Sequence, residues 1–264
     1  MSYFINYNEC LDTLFEQWIN SYPEADRNRF CRDGIMRKVD DSINVDELWE
    51  NSSRRVMLMV KDCPDGYGYD TRDSMKMNKD VVSDLEGKFY PWLAMLLYGI
   101  LENRIERRVG DRDIVSKMEE GVVKKVWNTQ PFAFIETKKL AGVEDCPPNI
   151  LREALEHDEV FLKKEIDILS PNVIVCCDGN GTMFDFITQK NFLGESDYPL
   201  DYGYPLQNRV ETKWHCRLRY YKQRRMVVIE SFHPSYPGLE KWAFLERVMS
   251  PFAKFLNECK PQGF

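Results

Sequence analysis

Four short runs in this sequence are apolar at every position: Val56-Met57-Leu58-Met59-Val60, Phe132-Ala133-Phe134-Ile135, Val173-Ile174-Val175-Cys176-Cys177 and Met226-Val227-Val228-Ile229. A strand with one wet face alternates polar and apolar residues, so a strand apolar throughout is covered on both sides. Amphipathic helical patterns separate the runs. Asn149 to Leu169 carries Leu151, Leu155, Leu162, Ile166 and Leu169 on one stripe, which only Asp158 interrupts. Further helices are expected from Leu85 to about Arg108, after Gly179 and Gly181, and from Leu239 to Leu256. Trp214 to Tyr221, the turn Lys222 to Arg225, and Met226 to Ile229 read as a hairpin. The pattern predicts an α/β fold of three layers, α/β/α, around a central, mainly parallel four-stranded sheet. Residues 1–53, with Leu11, Leu14, Phe15, Trp18 and Ile19 at helical spacing, form a helical N-terminal extension packed on the core; residues 54–264 form the main domain.

Composition narrows the class. Hydrophobic content of 43% and charged content of 30% describe a globular chain. The first residues show no secretory pattern, and the longest nearly apolar run, Pro91 to Leu101, is far short of the ~20 residues a membrane helix needs. A soluble, cytoplasmic protein is expected, with no membrane partner. The eight cysteines contain no C-x-x-C pair, so they read as buried, reduced thiols; no metal and no other cofactor is expected.

The net charge of −7 argues against indiscriminate nucleic-acid binding. Between Arg209 and Arg225, however, seven basic residues accompany one acid, Glu211. That run is either a solvated hairpin or a phosphate-facing patch.

Ligands of parallel sheets bind beyond the carboxyl ends of the strands. Four junctions follow: Asp62, Glu136, Asp178 and Ser231 onward. These junctions resemble, in order and spacing over residues 54 to 257, the motifs of the uracil-DNA glycosylase superfamily. Met59-Val60-Lys61-Asp62-Cys63-Pro64 is similar to the first motif, with an acid two residues before the proline as in the Gly-Glu-Ala-Pro-Gly branch. Phe132 to Leu140, Pro147-Pro148, the long helix and Leu169 to Val175 are similar to the middle of that branch. Val228 to Ser235 resembles the last motif, a strand running into His-Pro-Ser. The sequence departs from the family at Lys61, where a glycine is usual, at Glu136 and Thr137, where an asparagine is expected, and in lacking the iron–sulfur cysteines.

The resemblance implies a glycosylase-like hydrolase that cleaves the N-glycosidic bond of a base flipped out of DNA, modified bases included. Asp62 would stabilise the sugar cation or orient a water, and His233 would donate to the leaving base. Tyr67 and Tyr69 supply an aromatic face. Glu136 or Thr137 reads the base edge; an ionised glutamate only accepts, which favours an amino-bearing base. Lys61, Pro64, Asn180, Ser235 and Tyr236 complete the substrate site, and Arg217, Arg219, Arg224 and Arg225 face DNA. Plainer readings stand beside these: Asp62 as a loop cap, His233 as a packed turn residue, Asn180 as a helix cap. So do two other functions, a non-catalytic binder of nucleotide, nucleic acid or protein, and an enzyme acting on free nucleosides.

Overall fold

The computed structural model describes residues 5–63, 66–74, 82, 85–102, 118–142, 146–203, 215–236, 238, 240–262 and 264. In chain order these form α1 (Tyr7–Ile19), β1 (Gly34–Ile35), α2 (Val45–Asn51), β2 (Val56–Asp62), α3 (Tyr90–Glu102), α4 (Glu120–Thr129), β3 (Ala133–Lys138) and α5 (Pro148–Leu169). There follow β4 (Val173–Cys177), α6 (Thr182–Ile187), β5 (Tyr198–Gly203), β6 (His215–Tyr221), β7 (Met226–Ser231) and α7 (Lys241–Cys259).

All seven strands join one sheet in the order β1-β3-β2-β4-β7-β6-β5. The four apolar runs are its parallel centre, β3-β2-β4-β7. The expectation of four strands is corrected to seven, because antiparallel strands flank that centre on both sides. β1, from the N-terminal segment, pairs with β3; β6 pairs with β7, and β5 with β6.

Alternation along the central strands sorts their side chains into two cores. Val56, Leu58 and Val60 of β2 pack with α3, α4 and α7 on one face. Met57 and Met59 pack with α1, α2, α5 and α6 on the other. These are called the α3 face and the α5 face below. Asp158, the break in the α5 stripe, is fully buried and accepts from Trp18 Nε1 at 2.8 Å and from the Tyr22 hydroxyl. The polar position on α5 is therefore matched to polar edges of α1 and the turn after it.

The α3 helix begins at Tyr90, five residues later than expected. Phe89 has φ 65°, a left-handed conformation that a helix cannot include. Among the described residues no helix is long and apolar enough to cross a membrane. The expectation of buried cysteines fails at Cys10, which is exposed on α1, and at Cys259, which is half-buried; Cys31, Cys63, Cys146, Cys176 and Cys177 are buried free thiols.

Candidate functional site

From β2 the chain leaves through α3 and α4 on one face of the sheet; from β4 it leaves through α6 on the other. Adjacent parallel strands whose exits part in this way open a crevice at their carboxyl ends. The β2–β4 ladder ends at Met59 opposite Cys176, so the crevice starts just beyond that pair.

Register then defines what faces it. Val60 stands opposite Glu136, and Cys177 opposite Ser231. One step past the Met59–Cys176 pair, where that ladder has ended, come Val60 and Cys177, both packed in the core of the α3 face. Glu136, Val60, Cys177 and Ser231 thus form a row across four strands, all on the α3 face. Two residues onward come Lys138 and Asp62, and past the ends of β4 and β7 come Gly179 and His233. The Asp62–Lys138 pairing is part of the ladder. Gly179 N–H donates to Ser231 O at 3.2 Å, and a Cβ on Gly179 would lie 3.3 Å from His233 N. Asp62 thus ends β2 and His233 follows β7, the two strands that flank β4 in the sheet.

Asp62 is nearly enclosed. Lys138 Nζ donates to its Oδ2 at 2.9 Å and also to Leu140 O. Gly142 closes over the same oxygen so tightly that a Cβ would collide with it. The loop is fastened by Gly142 N–H to Cys63 O at 2.8 Å and Gly66 N–H to Gly142 O at 2.7 Å. A lysine on the neighbouring strand thus fixes one carboxylate oxygen of Asp62.

His233 sits in a turn closed by Tyr236 N–H on His233 O at 2.9 Å. The Ser235 N–H donates to His233 Nδ1 at 3.3 Å. A neutral ring that accepts at Nδ1 carries its proton on Nε2, so Nε2 is the donor nitrogen. The ring centroid lies 5.7 Å from that of Phe89.

Glu136 is a buried carboxyl at this end of the sheet. Its residue is 4% exposed, its N–H donates to Asp33 Oδ2 at 2.7 Å, and its Oε2 has no hydrogen-bond partner among the described residues. Burial, then the charges of Asp33, Cys63 and Asp62, push its carboxyl well above the usual range; Lys139 opposes them. Half-buried Tyr69 adjoins Cys63 and Cys31, and its ring lies 6.2 Å from the exposed ring of Tyr67.

Behind Glu136 lies a cluster that sequence reasoning missed. Asp33, Lys139 and Glu165 are all fully buried, with Lys139 Nζ 3.0 Å from Glu165 Oε2 and bonded to Asp33 Oδ2. Lys139 also lies 4.9 Å over the Trp18 ring. Burial and neighbouring Asp33 push the Glu165 carboxyl well above its usual range. The cluster ties the N-terminal segment to β3 and α5. The available signal was Glu165 itself, a second acid on the apolar stripe of α5.

The remaining candidates divide by face. Thr137 faces the α5 side, where its hydroxyl meets Met183 Sδ at 2.9 Å. It cannot share a base edge with Glu136, because successive strand residues point to opposite faces. Lys61, next along β2 from Val60, points to the opposite, α5 side, where Asp178 feels its charge. Asp178, not Asn180, caps α6, accepting from Gly181 N–H at 3.1 Å and Met183 N–H at 2.9 Å. Asn180 is exposed, as is Ser235; Tyr236 is half-buried, 5.5 Å from the Phe232 ring. Pro64, Arg209, Lys213 and Trp214 lie outside the described residues.

The four arginines are engaged within the protein. Arg217 pairs with Glu230 at 2.8 Å and Asp185 at 2.5 Å, Arg219 with Asp201 at 2.9 Å, and Arg224 with Asp167 at 2.7 Å. Arg225 donates to Gln262 O at 3.1 Å. Arg224 and Arg225 precede β7, so they stand at its amino end. That corrects the expectation of a basic tip at the site: six residues of strand, roughly 20 Å, separate tip and crevice.

Compared with known proteins, the chain matches no family model, no curated protein and no solved structure.

Proposed function

We propose that this chain hydrolyses the N-glycosidic bond of a base flipped out of DNA, by the chemistry of the uracil-DNA glycosylase superfamily that its motifs resemble. One observation carries the reading: Asp62 ends β2 and His233 follows β7, the two strands on either side of β4, and Glu136 on β3 lies one pleat below the Asp62–Lys138 pair. Breaking the bond leaves positive charge on the sugar and negative charge on the base. Asp62, with Oδ2 held by Lys138, turns its other oxygen to the sugar cation and to the attacking water. The water oxygen bonds to the anomeric carbon, and its proton passes to Asp62 or to solvent. His233 Nε2–H donates to the departing base. Tyr67 and Tyr69 stack on the base and Glu136 reads its edge. Tyr236 and Ser235 sit at the mouth beside His233, and Lys61 and Asn180 flank it as candidate phosphate contacts.

A second reading, hydrolysis of free nucleosides, is favoured by the internal pairing of Arg217, Arg219 and Arg224 together with the net charge of −7. One assay serves both. Base release is measured from duplexes carrying uracil, hypoxanthine, alkylated or hypermodified bases, and from the matching nucleosides. Release from at least one substrate is expected, with D62N and H233A each slower by roughly 10²–10⁴-fold at unchanged fold. Binding without release from any substrate, or release untouched by D62N, would overturn the catalytic proposal.

A further inference from the structure

Glu136 combines three properties that together specify a ligand. Its side chain is on the α3 face of the crevice, as the alternation Phe132, Phe134, Glu136 requires. It is 96% buried by difference from its 4% exposure, yet Oε2 has no protein partner among the described residues. A buried polar atom left without a partner is costly, and a ligand that satisfies it recovers that cost on binding. The groups around it are mostly anionic or neutral: Asp62 and Cys63 from β2 and its loop, Asp33 and Cys31 from the N-terminal segment, and Tyr69. Lys139, the cation that opposes them, is already bonded to Asp33 and Glu165.

We propose that Glu136 is a neutral carboxylic acid that binds a planar heterocycle through a paired donor–acceptor edge, either a ring N–H beside a carbonyl or a ring nitrogen beside an amino group. The acid's hydroxyl donates while its carbonyl oxygen accepts, giving two antiparallel hydrogen bonds in one plane. An ionised carboxylate would accept only, and would select amino groups whatever the neighbouring ring atom. The burial and the surrounding acids that hold the proton on Glu136 exclude that selection. The sequence expectation of an accepting, amino-selecting glutamate is thereby replaced. The inference rests on the nucleobase reading of the crevice, but not on cleavage.

The test is equilibrium binding of free bases to the full chain by calorimetry, with uracil, hypoxanthine, cytosine and adenine as probes. Each of uracil and hypoxanthine is compared with its analogue methylated at the ring nitrogen beside the carbonyl. At least one unmethylated base should bind, and ring-nitrogen methylation should weaken it by about tenfold or more. E136Q, whose amide keeps one donor and one acceptor, should bind within about threefold of the parent; E136A should lose about tenfold or more. Equal binding of methylated and unmethylated bases, equal loss in E136Q and E136A, or no binding of any base would each overturn the proposal. If E136A does not fold, the methylated probes and E136Q still decide. Bases that bind in this pattern without base release would sink the hydrolase and leave Glu136 standing. Release with an unchanged KM in E136A would do the reverse.

Discussion

Lys38 is 2% exposed; its ammonium donates to Trp127 O at 3.0 Å and lies 4.3 Å over the Phe132 ring. Burial alone pushes it down from 10.5 to about 7. Between those values the unfolded chain holds a proton that the folded chain releases, so this residue's contribution to stability rises with pH from about 7 to 10.5. Below that window, folding must bury the charge. K38M should therefore be more stable than the parent near pH 6, by roughly 2–4 kcal/mol after allowing for the lost ring contact, with the gap shrinking towards pH 10. Urea unfolding across that range checks the sign; a K38M chain less stable at every pH would refute it. Glu136 and Glu165 work in the opposite direction. Each keeps a proton in the fold that the unfolded chain loses above its usual value of 4.5, so their contribution falls as pH rises past that point.

At the scale of elements, α1 and α5 meet through a polar contact inside an apolar seam. Asp158 receives Trp18 Nε1 and the Tyr22 hydroxyl, while His157 beside it stacks on Tyr22 at 4.8 Å. D158A strands two buried donors, which costs about 3 kcal/mol, whereas D158N keeps an acceptor and loses less. Chemical denaturation of the two variants should give that order; equal stability would mean the seam tolerates the donors unpaired. The sequence marked Asp158 as the flaw in its stripe, since periodicity exposes a misfit, but periodicity names no partner. The parallel strands were legible for a related reason: runs of only four or five apolar residues bounded by polar or turn residues suit a strand covered on both faces, whereas the longer run in α3 is a helix. β1 and β5 were not. A two-residue strand has no period, and Tyr198–Gly203 contains Pro199, Asp201 and Gly203, residues that only an edge strand accommodates. Asp62 and His233 could be read because they follow legible strands. That Glu136 and Thr137 part to opposite faces follows from the period of two; which face holds the crevice depends on where the helices leave, and the sequence does not fix that. The Asp33–Lys139–Glu165 cluster joins three distant segments, and of its members only Glu165, on the apolar stripe of α5, left a local signal.

Across the whole molecule the sheet has two opposite edges, and charge is distributed between them. Arg224 and Arg225 sit where β7 begins; His233 lies just past where it ends. The chain order of tip, strand and histidine already carries that separation. Lysines do stand at the carboxyl edge: Lys61 at the end of β2, and Lys88, whose Nζ donates to Tyr236 O at 3.3 Å beside the His233 turn. If the substrate is duplex DNA, these side chains are placed to meet its phosphates, and each such contact releases counterions and adds about one to the salt slope of binding. Direct titration of a substrate duplex at several salt concentrations should then find R224A/R225A equal to the parent in affinity and slope. K61A/K88A should bind more weakly at low salt, with the slope reduced by about two. The opposite pattern would put DNA on the amino edge, away from Asp62 and His233, and would separate nucleic-acid binding from the crevice. Binding that is absent in the parent even at low salt would favour the free nucleoside, for which neither edge needs a cation.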